Sequence, residues 1–154
     1  MTRRELMLLA AFGSFALLAG AFVFQFLGYA PCKLCIWQRW PHGVAIGAGV
    51  LVLALGPLVL LGIVGALGAL TTAGIGVYHT GVERDWWEGP TSCSGNANAL
   101  DGLSGADLLS LDAPVDIVMC DEVAWAVAGV SMAAWNAIFS CVLAAIWIIA
   151  IRRA

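Results

Sequence analysis

The residues of this 154-residue chain best suited to covalent chemistry are its five cysteines, two of which stand as Cys32-Lys33-Leu34-Cys35. A C-x-x-C disulfide closes so small a loop that it adds little stability by chain entropy. The spacing instead suits a dithiol that exchanges with other disulfides. Lys33 and Arg39 bring positive charge close to the pair. If a helix has begun by Cys35, Arg39 lies at i+4 on the same face and the helix dipole adds its positive end, so both favour a thiolate at Cys35. Pro41 leaves two arrangements open: a helix that starts at the proline, or one that starts earlier and kinks there.

The other cysteines differ in setting. Cys93 and Cys120 lie in a polar stretch, with Gly, Ser, Asn and Asp concentrated over Ser92–Gly105, a composition that suits a mobile arm. Taken alone, a bond between these two would be a staple across a long loop, and four cysteines allow three connectivities. A structural zinc site fits less well. It draws its ligands from two tightly spaced pairs, whereas Cys93 and Cys120 are far apart, so no metal is expected. Cys141 falls inside an apolar run and reads as a small filler.

The elements that must position these residues are membrane helices. The chain is 62% hydrophobic and 11% charged, with a mean hydropathy of +0.94, against about 25% charged residues in soluble domains. A net charge of -3 gives no reason to expect a nucleic-acid partner. Leu6–Leu27 is long enough to span a hydrocarbon core, which needs roughly 20 helical residues. It also exceeds the 7–15 apolar residues of a signal peptide. Pro41–Tyr78 carries no full charge and is too long for one span, and Gly56-Pro57 divides it into spans over about 40–55 and 58–78. Gly62, Gly65, Ala66, Ala69 and Ala73 give the third span a face of small residues for close packing in lipid. Residues 123–151 supply the fourth span, followed by Arg152-Arg153.

Four spans put both termini on one side, and Arg3, Arg4, Arg152 and Arg153 make that side cytoplasmic. Loops over about 28–39 and 81–122 then face outward, carrying Cys32, Cys35, Cys93 and Cys120 to a side where disulfides persist. Trp86 and Trp87 would belong to the interfacial aromatic belt, and the apolar residues between Ala106 and Val118 to a segment lying on the membrane. The expected fold is a single all-α membrane domain, 1–154, a four-helix transmembrane bundle with cytoplasmic termini and two outward-facing loops.

Pro31-Cys32-Lys33-Leu34-Cys35-Ile36-Trp37-Gln38-Arg39 closely resembles the P-C-x-L-C-x-x-Q-R signature of the DsbB family of disulfide-generating membrane proteins. Cys93 and Cys120 bracket the second outer loop as in that family, and Gly129–Asn136 is similar to its fourth-span entry. C-x-x-C precedes the loop pair, an order opposite to that of the vitamin K epoxide reductase-like proteins. The resemblance implies a bacterial inner-membrane enzyme without metal, whose partner is a periplasmic DsbA-like thioredoxin-fold carrier. Cys93 would form a mixed disulfide with the carrier, Cys120 would be its loop partner and exchange with Cys32, and Cys35 would face a bound quinone. Arg39 would stabilise the Cys35 thiolate and the quinone, ubiquinone or menaquinone, whose pool feeds the respiratory chain. His79 matches a histidine near the quinone in that family. Gln38 is expected to stand behind these residues, and the resemblance gives His42 no role.

Overall fold

The computed structural model describes residues 1–90 and 119–153. Four long helices run up and down: α1 (Arg3–Phe26), α2 (Lys33–Leu55), α3 (Val59–Glu83) and α4 (Met132–Arg152). A hairpin of two short strands, β1 (Ala126–Val127) and β2 (Val130–Ser131), precedes α4. The helices pack as a ring, α1 on α2, α2 on α3, α3 on α4 and α4 back on α1.

Local chemistry fixes where each helix starts. Thr2 and Glu5 form a reciprocal capping box on α1. Ser131 caps α4 by accepting from the Ala134 N–H at 3.2 Å. Between α2 and α3 the chain reverses over Gly56-Pro57-Leu58, with Gly56 at φ +85°, a conformation that costs a residue without Cβ little. This is the break expected from Gly56-Pro57.

The bundle core is built of small side chains. Leu6, Met7, Ala10, Ala11, Ala48, Val52, Ala69, Leu143, Ala144 and Trp147 share one buried cluster. Gly65 lets the Trp147 indole lie directly against α3, where a Cβ would meet a ring atom at 2.4 Å. At the foot of this cluster the termini meet: Arg3 Nε donates to the Arg153 carbonyl and an Arg153 guanidinium nitrogen donates to the Met1 carbonyl, each at 2.7 Å.

Three helices, α1, α3 and α4, are long and apolar enough to cross a membrane. The second is of similar length, but its first half carries Lys33, Gln38, Arg39 and His42. Helix boundaries depart from the expected spans in physically clear ways. The second helix begins at Lys33, well before residue 40, because Cys32 caps it and Pro41 is accommodated within it. The third continues past Tyr78 to Glu83. The fourth begins at Met132, not at 123, because Ala128 and Gly129 both adopt positive φ (53° and 75°). That pair of conformations makes the tight turn that pairs Ala126 with Ser131 and Val127 with Val130. The polar arm over Ser92–Gly105, the apolar segment up to Val118 and Cys93 itself lie outside the described residues.

Candidate active site at the start of the second helix

Cys32 is the N-cap of α2. Its Sγ accepts from the Cys35 backbone N–H at 3.2 Å and lies 2.9 Å from the Cys35 Sγ, with which it shares a thiol hydrogen. Both cysteines are free. On the opposite side His79, from the end of α3, brings Nε2 to 3.5 Å from the same sulfur. The His79 tautomer follows from its other nitrogen. Gln38 Nε2 donates to Nδ1 at 3.0 Å, so the ring hydrogen sits on Nε2 and points toward Cys32.

Every one of these contacts favours negative charge on Cys32. The hydrogen bond from the Cys35 thiol contributes most, burial opposes it, and His79 adds to it; the net result lowers the Cys32 pKa to about 4 from an ordinary 9.0. Cys35, which donates its proton to Cys32 and is itself buried, is pushed up. The groups that favour negative charge therefore converge on Cys32, one residue before the first turn, rather than on Cys35 as the i+4 spacing to Arg39 suggests. The reason is the cap position: the helix N-terminus aims at the residue before its first turn, and that residue is Cys32.

Arg39 does lie one turn beyond Cys35, as the i+4 spacing requires, since the helix has begun by then. Its guanidinium turns to α1, donating to Gln25 Oε1 at 2.6 Å and to the Ala21 carbonyl at 3.5 Å, and stacks over Phe22 at 4.7 Å. Arg39 and Cys35 meet instead as walls of one cavity of about 430 Å3, between α1, the first half of α2, the hairpin and the start of α4. The lining is dominated by apolar groups such as Leu17, Phe24, Trp125 and Trp135. His79 does not line it. With Cys32 and Glu83 it borders an adjoining recess of about 40 Å3, which shares Ala30, Cys35, Trp125 and Met132 with the wall of the large cavity.

Sequence reasoning missed the hydrogen-bonded layer that joins the two spaces. Asn136 Nδ2 donates to Gln38 Oε1 at 2.6 Å and to Thr72 Oγ1 at 3.2 Å, while Thr72 donates to the Gln38 carbonyl at 3.1 Å. His42 Nε2 meets Asn136 Oδ1 at 2.9 Å. The available signal was a histidine and an asparagine inside otherwise apolar helices, which are rarely placed there without a task. At the outer rim Ser131 donates to Glu83 Oε2 and ties α3 to the start of α4. Trp87 stacks on Tyr78 and donates to its carbonyl at 2.8 Å. Cys141 is exposed on α4 and does not line the cavity or the recess.

Cys120 is disulfide-bonded and fully buried, and it shares one cluster with Cys32, Leu34 and Val82, against which Cys35 and Ile75 pack. A disulfide sulfur and a charged thiol group thus lie in the same packed unit. Cys32, Cys35 and His79 also offer three ligand atoms within 4.8 Å of one another. The two sulfurs, however, stand 2.9 Å apart, whereas thiolates on one tetrahedral zinc would be separated by about 3.8 Å.

A sequence model of the family described as "Disulfide bond formation protein DsbB" matches residues 3–150, nearly the whole chain. No individual curated protein and no solved structure gives a match. With three helices apolar enough to span, the chain belongs to the DsbB family, multi-pass membrane oxidoreductases of disulfide bond formation.

Proposed function

We propose that this protein reoxidises a periplasmic DsbA-like dithiol carrier and passes the electron pair through Cys93–Cys120 and Cys32–Cys35 to a membrane quinone. The observation that carries this reading is the position of the inner dithiol between two partners. Cys32 packs in one cluster with disulfide-bonded Cys120, while Cys35 forms part of the wall of a large apolar cavity. The four-helix arrangement, with termini paired at one end and the dithiol at the start of α2, supports four spans, cytoplasmic termini and redox loops facing the periplasm of an inner membrane.

The cavity residues fit a quinone. Its volume of about 430 Å3 lies in the range of small-molecule sites. Two buried polar atoms in residues of its lining, Arg39 Nε and His42 Nδ1, have no partner. Ubiquinone and menaquinone both present two ring oxygens to such a site. When bound, a quinone supplies the two-electron, two-proton acceptor.

The chain's own residues do the remaining work. Cys93 takes the carrier's thiol into a mixed disulfide, and a second carrier thiol releases it, leaving Cys93 and Cys120 reduced and the carrier oxidised. Cys120 then attacks oxidised Cys32–Cys35 at Cys32, and the bond that breaks leaves its electron pair on Cys35. Cys93 resolves the Cys32–Cys120 bond, restoring the outer disulfide and leaving the inner pair as the dithiol. His79 holds charge on Cys32 through the Nε2–H, and Gln38 fixes that tautomer. Arg39 contributes positive charge beside the cavity for the Cys35 thiolate and the acceptor.

The test is to mix purified protein with a reduced thioredoxin-fold carrier and a water-soluble quinone. One quinone should be reduced per carrier disulfide formed, and Arg39→Ala should slow quinone reduction while leaving the carrier mixed disulfide unaffected. Absence of quinone reduction by the unmodified protein under all conditions sinks the reading.

A further inference from the structure

Among the cavity-lining residues, His42 combines a partner on another helix, Asn136, with a ring nitrogen that has none. It stands on α2 at seven residues from Cys35 and three from Arg39, so all three share a face toward the cavity. It is 3% exposed, and its Nδ1 has no partner.

The tautomer is set by exclusion. Thr72 spends its hydrogen on the Gln38 carbonyl and so can only accept from Asn136. Gln38 presents Nε2 to His79 and therefore Oε1 to Asn136. Both acceptors face Asn136 Nδ2, which leaves Asn136 Oδ1 for His42. An oxygen acceptor there requires the hydrogen of His42 on Nε2. Nδ1 is then a bare lone pair on a buried ring at the cavity wall. An unsatisfied buried acceptor is costly, and a ligand hydroxyl would relieve it. Arg39 Nε, the other unpartnered atom, is its complement, since it can only donate.

Resting on the quinone reading above, we propose that His42 Nδ1 accepts the hydroxyl hydrogen of the two-electron-reduced ring, so that the cavity distinguishes hydroquinone from quinone. An oxidised ring presents carbonyl oxygens alone, which suit Arg39 Nε–H and gain nothing from His42. A reduced ring presents a hydroxyl donor, which His42 can take. Asn136 acts through His42 as a positioning residue, and His42 touches the ligand itself. No bond is made or broken in this recognition. The two electrons that convert one ring form to the other come from the dithiol; the Cys35 thiol supplies one proton and water the second, because Cys32 is already deprotonated.

Binding without turnover isolates the effect. Dithiol protein with a short-chain benzohydroquinone is a pair already reduced on both sides, and disulfide protein with the matching quinone is one already oxidised on both. Affinities are measured by titration calorimetry in detergent. His42→Phe should weaken hydroquinone binding about tenfold, the worth of roughly one buried hydrogen bond, and change quinone binding less than twofold. Preserved quinone affinity also reports an intact cavity. A second measurement needs no variant. The hydroquinone dimethyl ether, which lacks a donor, should bind the unmodified protein at least tenfold more weakly than hydroquinone. In His42→Phe that preference should fall about tenfold, because the steric cost of the methyl groups is common to both proteins and cancels between them. Equal loss of both ring forms in the variant, or a hydroquinone-over-ether preference as large in the variant as in the unmodified protein, overturns the assignment of His42. Failure of the unmodified protein to bind either ring form overturns the quinone reading itself.

Discussion

The two halves of the bundle are held together by different forces. Toward the termini, Ala10, Ala48, Ala69, Ala144 and Trp147 pack through small-residue contacts, and Gly49 and Gly65 admit neighbours that a Cβ would strike at 2.2 and 2.4 Å. Toward the cysteines, Gln38, His42, Thr72, His79 and Asn136 form a hydrogen-bonded layer across α2, α3 and α4. In lipid, close packing holds helices together where apolar burial between them gains little. Polar groups in such a setting have fixed partners and therefore fixed orientations. One half consequently supplies cohesion and the other supplies directed donors and acceptors. Changes in the two halves should be separable by what they damage.

The largest expected effect lies in the polar half. Cys32→Ser or Cys35→Ser should lower carrier-dependent quinone reduction at least a thousandfold, since a hydroxyl cannot replace a thiolate in disulfide exchange. Thermal unfolding in detergent should change little. A stable variant retaining more than a tenth of the activity would remove the inner pair from the reaction. Next comes the packed half. Gly65→Ala drives a Cβ to 2.4 Å from Trp147 and should cost about 1–3 kcal/mol of stability, the usual penalty of overpacking, with Cys32 reactivity intact. Unfolding that matches the unmodified protein would mean the helices can slide apart at no cost and that the contrast between the halves is weaker than described.

The smallest effect concerns pH. A Cys32 pKa lowered to about 4 from 9.0 keeps the thiolate present throughout the neutral range, and the charge is lost only as pH falls toward about 4. Alkylation of the dithiol protein at Cys32 should therefore be nearly flat from pH 6 to 8, where an ordinary thiol gains roughly tenfold per unit. His79→Phe should move the low-pH midpoint upward, a partial effect because the Cys35 hydrogen bond is the greater cause. A steep rise between pH 6 and 8 in the unmodified protein would contradict the cap geometry.

Much of this arrangement is legible in the residues. C-x-x-C spacing identifies the dithiol, and Gly56-Pro57 marks the reversal between α2 and α3 because few other dipeptides tolerate φ +85°. The i+4 relation of Cys35 and Arg39 is correct as helical geometry, yet it does not decide where the guanidinium goes. Gln25, on another helix, takes it. Which cysteine caps the helix depended on one residue of register at its start, a boundary that apolar content cannot locate when Lys33 and Arg39 extend the helix beyond the hydrophobic stretch. The hairpin at Ala126–Ser131 was hidden by its own composition. Val123, Ala124, Trp125, Ala126 and Val127 continue the apolar run of the fourth helix, and the turn rests on a single Ala-Gly pair. Partnerships such as His42 with Asn136, ninety-four positions apart, are set by how helices pack and leave no local trace.

The capping of α2 by Cys32 Sγ has an energetic consequence. Each oxidation of the inner pair converts the atom that caps the helix from a charged acceptor into a neutral disulfide sulfur. A cap is worth about 1 kcal/mol, and for a two-electron couple 1.4 kcal/mol corresponds to about 30 mV. The first turn of α2 therefore biases the couple by roughly 20 mV toward its reduced form. Fraying at this helix start and midpoint potential are two readings of one free energy, so a change that stiffens or loosens residues 33–36 should tune the electron affinity of the pair without touching a sulfur.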